Sequence, residues 1–139
     1  MNNKLNENAK TILARLLATE NISVEFNSSI NTAAFDPKNR VLIMPVFEEV
    51  STDVDSLFLG HECGHALFTP QDSLEEINNY RKKGLKDLVN VVEDARIEKL
   101  MQKKFGGLRR SFYNAYTELY EKNFFGTGDT DLNTLSFEN

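Results

Sequence analysis

Apolar residues recur every three or four positions between Leu5 and Thr19, at Leu5, Ala9, Ile12, Leu13, Leu16 and Leu17, which predicts a packing helix. Ile22-Ser-Val-Glu-Phe26 alternates instead, as a half-buried strand does. A turn follows at 27–31, then a short second strand at Thr32-Ala-Ala-Phe35, and Val41-Leu-Ile-Met44 returns as a third strand ended by Pro45. Between the last two lies Asp36-Pro-Lys-Asn39, a strong turn signal, because proline presets φ and asparagine tolerates the left-handed region. Three short strands so linked predict a small antiparallel sheet. Pro45 cannot donate to a ladder, so Val41–Met44 reads either as an edge able to pair with an extended peptide or as a core strand that stops there.

Beyond Pro45 the period becomes helical. Ser51, Thr52 or Asp53 caps a helix whose first turn carries Asp55 and whose apolar side is Leu57, Phe58, Leu67 and Phe68; Pro70 stops it. Ser73-Leu-Glu-Glu76 is a capping box for a short helix to about Lys83, closed by Gly84. Lys86 to Phe105 is the next long helix, with Leu88, Val91, Val92, Ala95, Leu100 and Met101 among its apolar positions, and Gly106-Gly107 breaks it. Leu108 to Phe125 is a last, aromatic helix with Phe112, Tyr113, Tyr116, Tyr120 and Phe124. After Phe125, turn formers replace large apolar residues, so residues 1–125 read as one domain and 126–139 as a flexible tail or the start of a linker. The fold class expected is α+β, mostly helical, with the small sheet beside the helices.

At 139 residues and 40% hydrophobic content, the chain can bury one core. A net charge of −5 offers no basic stripe to neutralise phosphates, which argues against nucleic acid as a partner; Lys103-Lys104 and Arg109-Arg110 read as a solvated face. A single cysteine, Cys63, makes no internal disulfide, and no run is apolar enough to span a bilayer. The expectation is a cytoplasmic protein with no membrane partner.

The chemistry lies in the helix between Ser51 and Pro70. Both histidines of the chain fall in His61-Glu62-Cys63-Gly64-His65. Residues four apart share one helix face, so His61 and His65 can direct two imidazoles at one metal ion. Glu62 projects nearby, offset enough to act as a general base rather than as a ligand. Two neutral imidazoles with a neighbouring carboxylate suit zinc, and H-E-x-x-H is the zincin signature. Gly64 and Ala66 leave room for another element to approach.

A catalytic zinc site has three protein ligands, and no third histidine exists. Cys63 lies on the wrong face, so the third ligand is a carboxylate. Asn90-Val-Val-Glu93-Asp94-Ala-Arg96-Ile-Glu98 places acids on an otherwise apolar helix, where charge is costly unless paired or metal-bound. Glu93 is the first choice and Asp94 the alternative; Asp94 otherwise suits accepting the outer N–H of a ligand histidine. Arg96 and Glu98 can pair with neighbours. Tyr116, Tyr113, Tyr120 or Arg96 can stabilise an oxyanion.

His61-Glu-Cys-Gly-His-Ala-Leu-Phe68 together with Asn90-Val-Val-Glu-Asp-Ala-Arg-Ile-Glu98 resembles the gluzincin branch of zinc metallopeptidases. More narrowly, it is similar to the metallopeptidase-like domain that precedes von Willebrand factor A domains in cobaltochelatase-type and phage proteins. The similarity spans about residues 32 to 125 and implies an active-site helix and a glutamate helix crossing beneath a small sheet. The glutamate helix of gluzincins commonly reads Glu-x-x-x-Asp, whereas here Asp94 directly follows Glu93 and position 97 is Ile. The von Willebrand part is not in this sequence, so a C-terminal or separate partner domain is an expectation.

The function expected is therefore hydrolysis of peptide bonds in a peptide or protein substrate by a zinc-activated water, with Glu62 as base and His61, His65 and Glu93 as ligands. The alternatives are a catalytically inactive metal-binding scaffold of a larger assembly and a metal-free helical interaction domain. A structural site needs no base beside its ligands, so Glu62 separates the first from the second.

Overall fold

The computed structural model describes residues 6–128. In chain order the elements are α1 (Glu7–Ala18), β1 (Ser23–Asn27), β2 (Ala34–Asp36), β3 (Val41–Pro45), α2 (Thr52–Phe68), α3 (Ser73–Lys82), α4 (Lys86–Lys104) and α5 (Leu108–Glu121). The fold is α+β and mostly helical. The start of the first expected helix at Leu5, and the tail from residue 129 onward, lie outside the described residues.

Local chemistry accounts for most boundaries. Ser51 caps α2, its hydroxyl accepting from the Val54 amide, and Pro70 follows the extended C-cap Thr69. Gly84, at φ 70°, takes the left-handed conformation after α3 that lets the Leu85 amide reach back to the Tyr80 carbonyl.

The sheet departs from the expectation of an antiparallel arrangement. Its order is β1-β3-β2, with β2 antiparallel to β3 but β1 parallel to it, Ser23 opposite Val41 and Asn27 opposite Pro45. The tight turn fixes β2 against β3, and the chain leaving β1 passes beyond β3 before that hairpin begins, so β3 lands between the other two. β3 is thus the central strand, with Leu42 and Met44 fully buried, and the reading of it as a peptide-binding edge is overturned. The turn itself is held as its residue types suggest: the Asp36 carboxylate accepts from the Lys38 and Asn39 amides, and the left-handed φ falls on Arg40. Arg40 pairs with Glu20, donates to the Ala66 carbonyl at 2.8 Å and covers the Phe35 ring, tying the sheet to the end of α2.

α2 is the hub, packed against α1, α4 and α5. Lys10 of α1 meets Asp55 of α2 at 2.8 Å, and both side chains are buried. That pair rotates α1 relative to its apolar stripe: Ala14, Leu17 and Ala18 enter the core while Ile12 and Leu16 stay exposed. On the α1 side, Cys63 donates to the Ala14 carbonyl, and burial pushes its thiol up to about 12. Two glycines set the other approaches. A Cβ at Gly60 would meet the Phe112 ring of α5 at 2.9 Å, and one at Gly64 would meet Ile97 and Met101 of α4 at 2.9 Å.

The side chains that α4 buries lie in its C-terminal half. Ile97 and Met101 are buried, but Leu88, Val91 and Val92 are exposed, and Ala95 with them. The apolar surroundings expected of the acids on this helix are therefore absent at its N-terminal end. Gly64→Ala should test the close approach. Overpacking costs about 1–3 kcal/mol, against about 1 kcal/mol returned by alanine's helix propensity. Chemical denaturation should show a net loss of stability; an unchanged or raised midpoint would mean that Gly64 does not set the spacing of α2 and α4.

Candidate metal centre

His61 and His65 stand one turn apart on α2, with ring centroids 5.0 Å apart. The Gly64 contact brings α4 across this face, and Asp94 arrives between the rings. Its Oδ1 lies 3.1 Å from His65 Nε2 and 3.5 Å from His61 Nε2. His61, His65 and Asp94 each offer a ligand atom, all within 4.8 Å of one another. These three residues could hold a metal ion.

The outer nitrogens are held as well. His61 Nδ1 lies 2.7 Å from Glu98 Oε1, which also accepts from the Tyr116 hydroxyl at 2.6 Å. His65 Nδ1 lies 2.9 Å from the Thr69 hydroxyl. Glu98 only accepts, so His61 carries its hydrogen on Nδ1 and can present Nε2 toward Asp94. Ligand histidines normally anchor the ring nitrogen that faces away from the metal in this way. The donor set therefore fits a divalent cation of borderline hardness.

The electrostatics favour positive charge at this pair, which a proton supplies and a bound cation would displace. Burial works against charge on His61, yet its contacts with Asp94 and Glu98 and the nearby Glu62 charge outweigh it and raise its pKa to about 10. Burial likewise opposes ionisation of Asp94, but the two histidines hold its carboxyl well below the usual range. This is a place built to favour positive charge. Glu62 is 8% exposed, and burial raises its pKa even though both histidines pull it down. It does not belong to the ligand trio, and with His61, Asp94, Tyr116 and Thr32 it lines a cavity of about 190 Å³.

The remaining candidates are distributed as follows. Glu93, the first choice for third ligand, points elsewhere: its carboxylate receives both Arg96 Nε and Nη2, at 2.8 and 2.7 Å, and the Thr69 hydroxyl at 2.7 Å. The Arg96 bonds outweigh modest burial to keep its pKa low. Asp94, the alternative, is the carboxylate that joins the two histidines in the trio that could hold a metal ion. The histidine-anchoring task suggested for Asp94 falls to Glu98. Arg96 is spent on Glu93 and on the Phe68 carbonyl, Tyr113 is 74% exposed, and of the expected oxyanion stabilisers only Tyr116 reaches the cavity. Burial, and then the Glu98 carboxylate, raise the Tyr116 pKa.

Two residues were missed in the sequence, Glu98 as an anchor and Thr69. Both carried a signal, because Glu98 follows Asp94 by four, the spacing of His61 and His65, and Thr69 follows His65 by four. No protein-family model, curated protein or solved structure matches the chain.

Zinc titration of single variants checks the trio. Asp94→Ala and His65→Ala should each abolish stoichiometric binding, whereas Glu93→Ala should weaken it by about 10–100-fold, the range for residues that orient ligands. Loss of binding in Glu93→Ala with retention in Asp94→Ala would return the ligand role to Glu93.

Proposed function

We propose that the chain is a zinc-dependent metallopeptidase domain, with His61, His65 and Asp94 as ligands and Glu62 as general acid–base. The observation that carries this reading is the position of Glu62, a buried carboxylate with a raised pKa beside three convergent ligand atoms, facing a cavity. Two imidazoles and one carboxylate suit zinc. When bound there, the metal would supply Lewis acidity to a water and to a substrate carbonyl.

The chain's own groups supply the proton handling. Glu62 receives the proton of the attacking water, and burial holds its pKa above that of an exposed carboxylate, which makes it a better base and a competent donor to the leaving amine. Tyr116 stands at the cavity with a hydroxyl bonded to Glu98; turned from Glu98 toward a substrate, it can donate to the developing oxyanion. Aromatic side chains, Phe58 and Phe125 among them, line the cavity wall. Thr32 at the cavity leads directly into β2, an edge strand of the sheet, so an extended peptide entering here has a backbone edge within reach. The net charge of −5 favours basic or neutral peptides. The scaffold alternative gains nothing from the geometry, since a structural zinc site closes with four protein ligands and needs no base.

Glu62→Gln keeps volume and hydrogen-bonding reach while removing the base. Digestion of a peptide library, read by mass spectrometry with a chelator control, should show cleavage by the wild type. The variant should hold zinc and fold normally, yet be slower by roughly 10²–10⁴-fold. Equal rates would mean that the activity does not come from this site, and zinc-loaded wild type that cleaves nothing would favour the scaffold.

A further inference from the structure

Thr69 occupies a position that the proposed chemistry does not use. It is the C-cap of α2, extended at φ −91° and ψ 120°, with its amide bonded to the His65 carbonyl at 3.0 Å. Pro70 prevents the helix from continuing, and the Thr69 side chain therefore stands under the His65 ring, 2.9 Å from Nδ1. A threonine hydroxyl has one hydrogen and two lone pairs. Glu93, gripped by Arg96 through both carboxylate oxygens, can only accept, and it takes the Thr69 hydrogen at 2.7 Å. Toward His65 the hydroxyl then offers a lone pair, and Nδ1 must be the donor.

The geometry assigns Thr69, Glu93 and Arg96 a joint task as positioning residues: they fix the orientation of His65 and keep a hydrogen on its Nδ1, so that Nε2, 3.1 Å from Asp94 Oδ1, is the atom left to a metal that would take the place of that contact. The assignment rests on the metal site of the metallopeptidase reading, and not on its catalytic part. The chain of bonds begins and ends on one helix, because Arg96 also donates to the carbonyl of Phe68, the last residue of α2, at 2.7 Å. Without Glu93 the hydroxyl could turn its hydrogen onto Nδ1. The ring would then carry its own hydrogen on Nε2, the atom required for ligation. Glu93 thus acts on the metal through two intervening groups.

The test is zinc affinity of the full chain in Thr69→Val, Thr69→Ser, Glu93→Leu and the Thr69→Val/Glu93→Leu double variant. Thr69→Val and Glu93→Leu should each weaken binding by about 10–100-fold, and Thr69→Ser, which keeps the hydroxyl, should restore affinity to within about threefold of wild type. The double variant should bind no worse than Thr69→Val alone, because both changes break one chain of bonds. In zinc-loaded, ¹⁵N-histidine-labelled protein, the His65 Nδ1–H proton should be visible in wild type and Thr69→Ser and lost to solvent exchange in Thr69→Val. Wild-type affinity with a retained proton signal in Thr69→Val, or additive losses in the double variant, would overturn the assignment while leaving the metal site intact. Failure of the wild type to bind zinc would instead overturn the metal site itself, and the assignment with it. Loss of peptidase activity alone, with the affinities as expected, would leave the assignment standing.

Discussion

Everything at the candidate centre depends on how closely α4 can lie against α2. Gly64 sits between the two histidines, and Ile97 and Met101 fill the space that any side chain there would need. A glycine in mid-helix costs about 1 kcal/mol relative to alanine, and here the return is geometric. The acids one turn apart on α4 come opposite the imidazoles one turn apart on α2. Asp94 reaches the inner nitrogens and Glu98 an outer one. Packing that seats two apolar residues in the notch of a glycine thus fixes a polar constellation next to it.

That constellation is electrostatically lopsided. Three carboxylates, Glu62, Asp94 and Glu98, surround two imidazoles, and the arrangement draws in positive charge, raising the His61 pKa while holding Asp94 ionised. Glu62 is distinguished from the other two by burial and by having no share in the ligand trio. The groups that would hold a cation and the group that would move a proton are separate, which a hydrolytic centre requires and a purely structural one does not.

Much of this was legible in the sequence where a local rule governs. The Ser51 cap, the Pro70 stop, the Gly84 terminus and the pairing of His61 with His65 each follow from residues within one or two turns. What was not legible depends on which neighbour wins a shared surface. The parallel pairing of β1 with β3 follows from where the β2–β3 hairpin lands, which no strand period encodes. Val91 and Val92 looked like a buried stripe but are exposed, so the acids of α4 do not sit in the apolar surroundings that pointed to them as a cluster. Glu93 and Asp94 differ by about 100° around the helix, and only the position of α2 decides that Asp94 faces the histidines. Arg96, one turn along, then claims Glu93. Asp94 and Glu98 stand four apart on α4, the same spacing as His61 and His65 on α2.

The central claim is that one ion sits between α2 and α4 on two histidines and Asp94, with Glu62 left free. Diffraction from zinc-soaked crystals, with anomalous data across the zinc edge, tests it most directly. A single anomalous peak should lie about 2.0–2.2 Å from His61 Nε2, His65 Nε2 and an Asp94 carboxylate oxygen, with the Glu62 and Glu93 carboxylates outside bonding distance. A peak that binds Glu93 in place of Asp94, that takes Glu62 as a fourth protein ligand, or that lies away from the histidine pair would contradict the account.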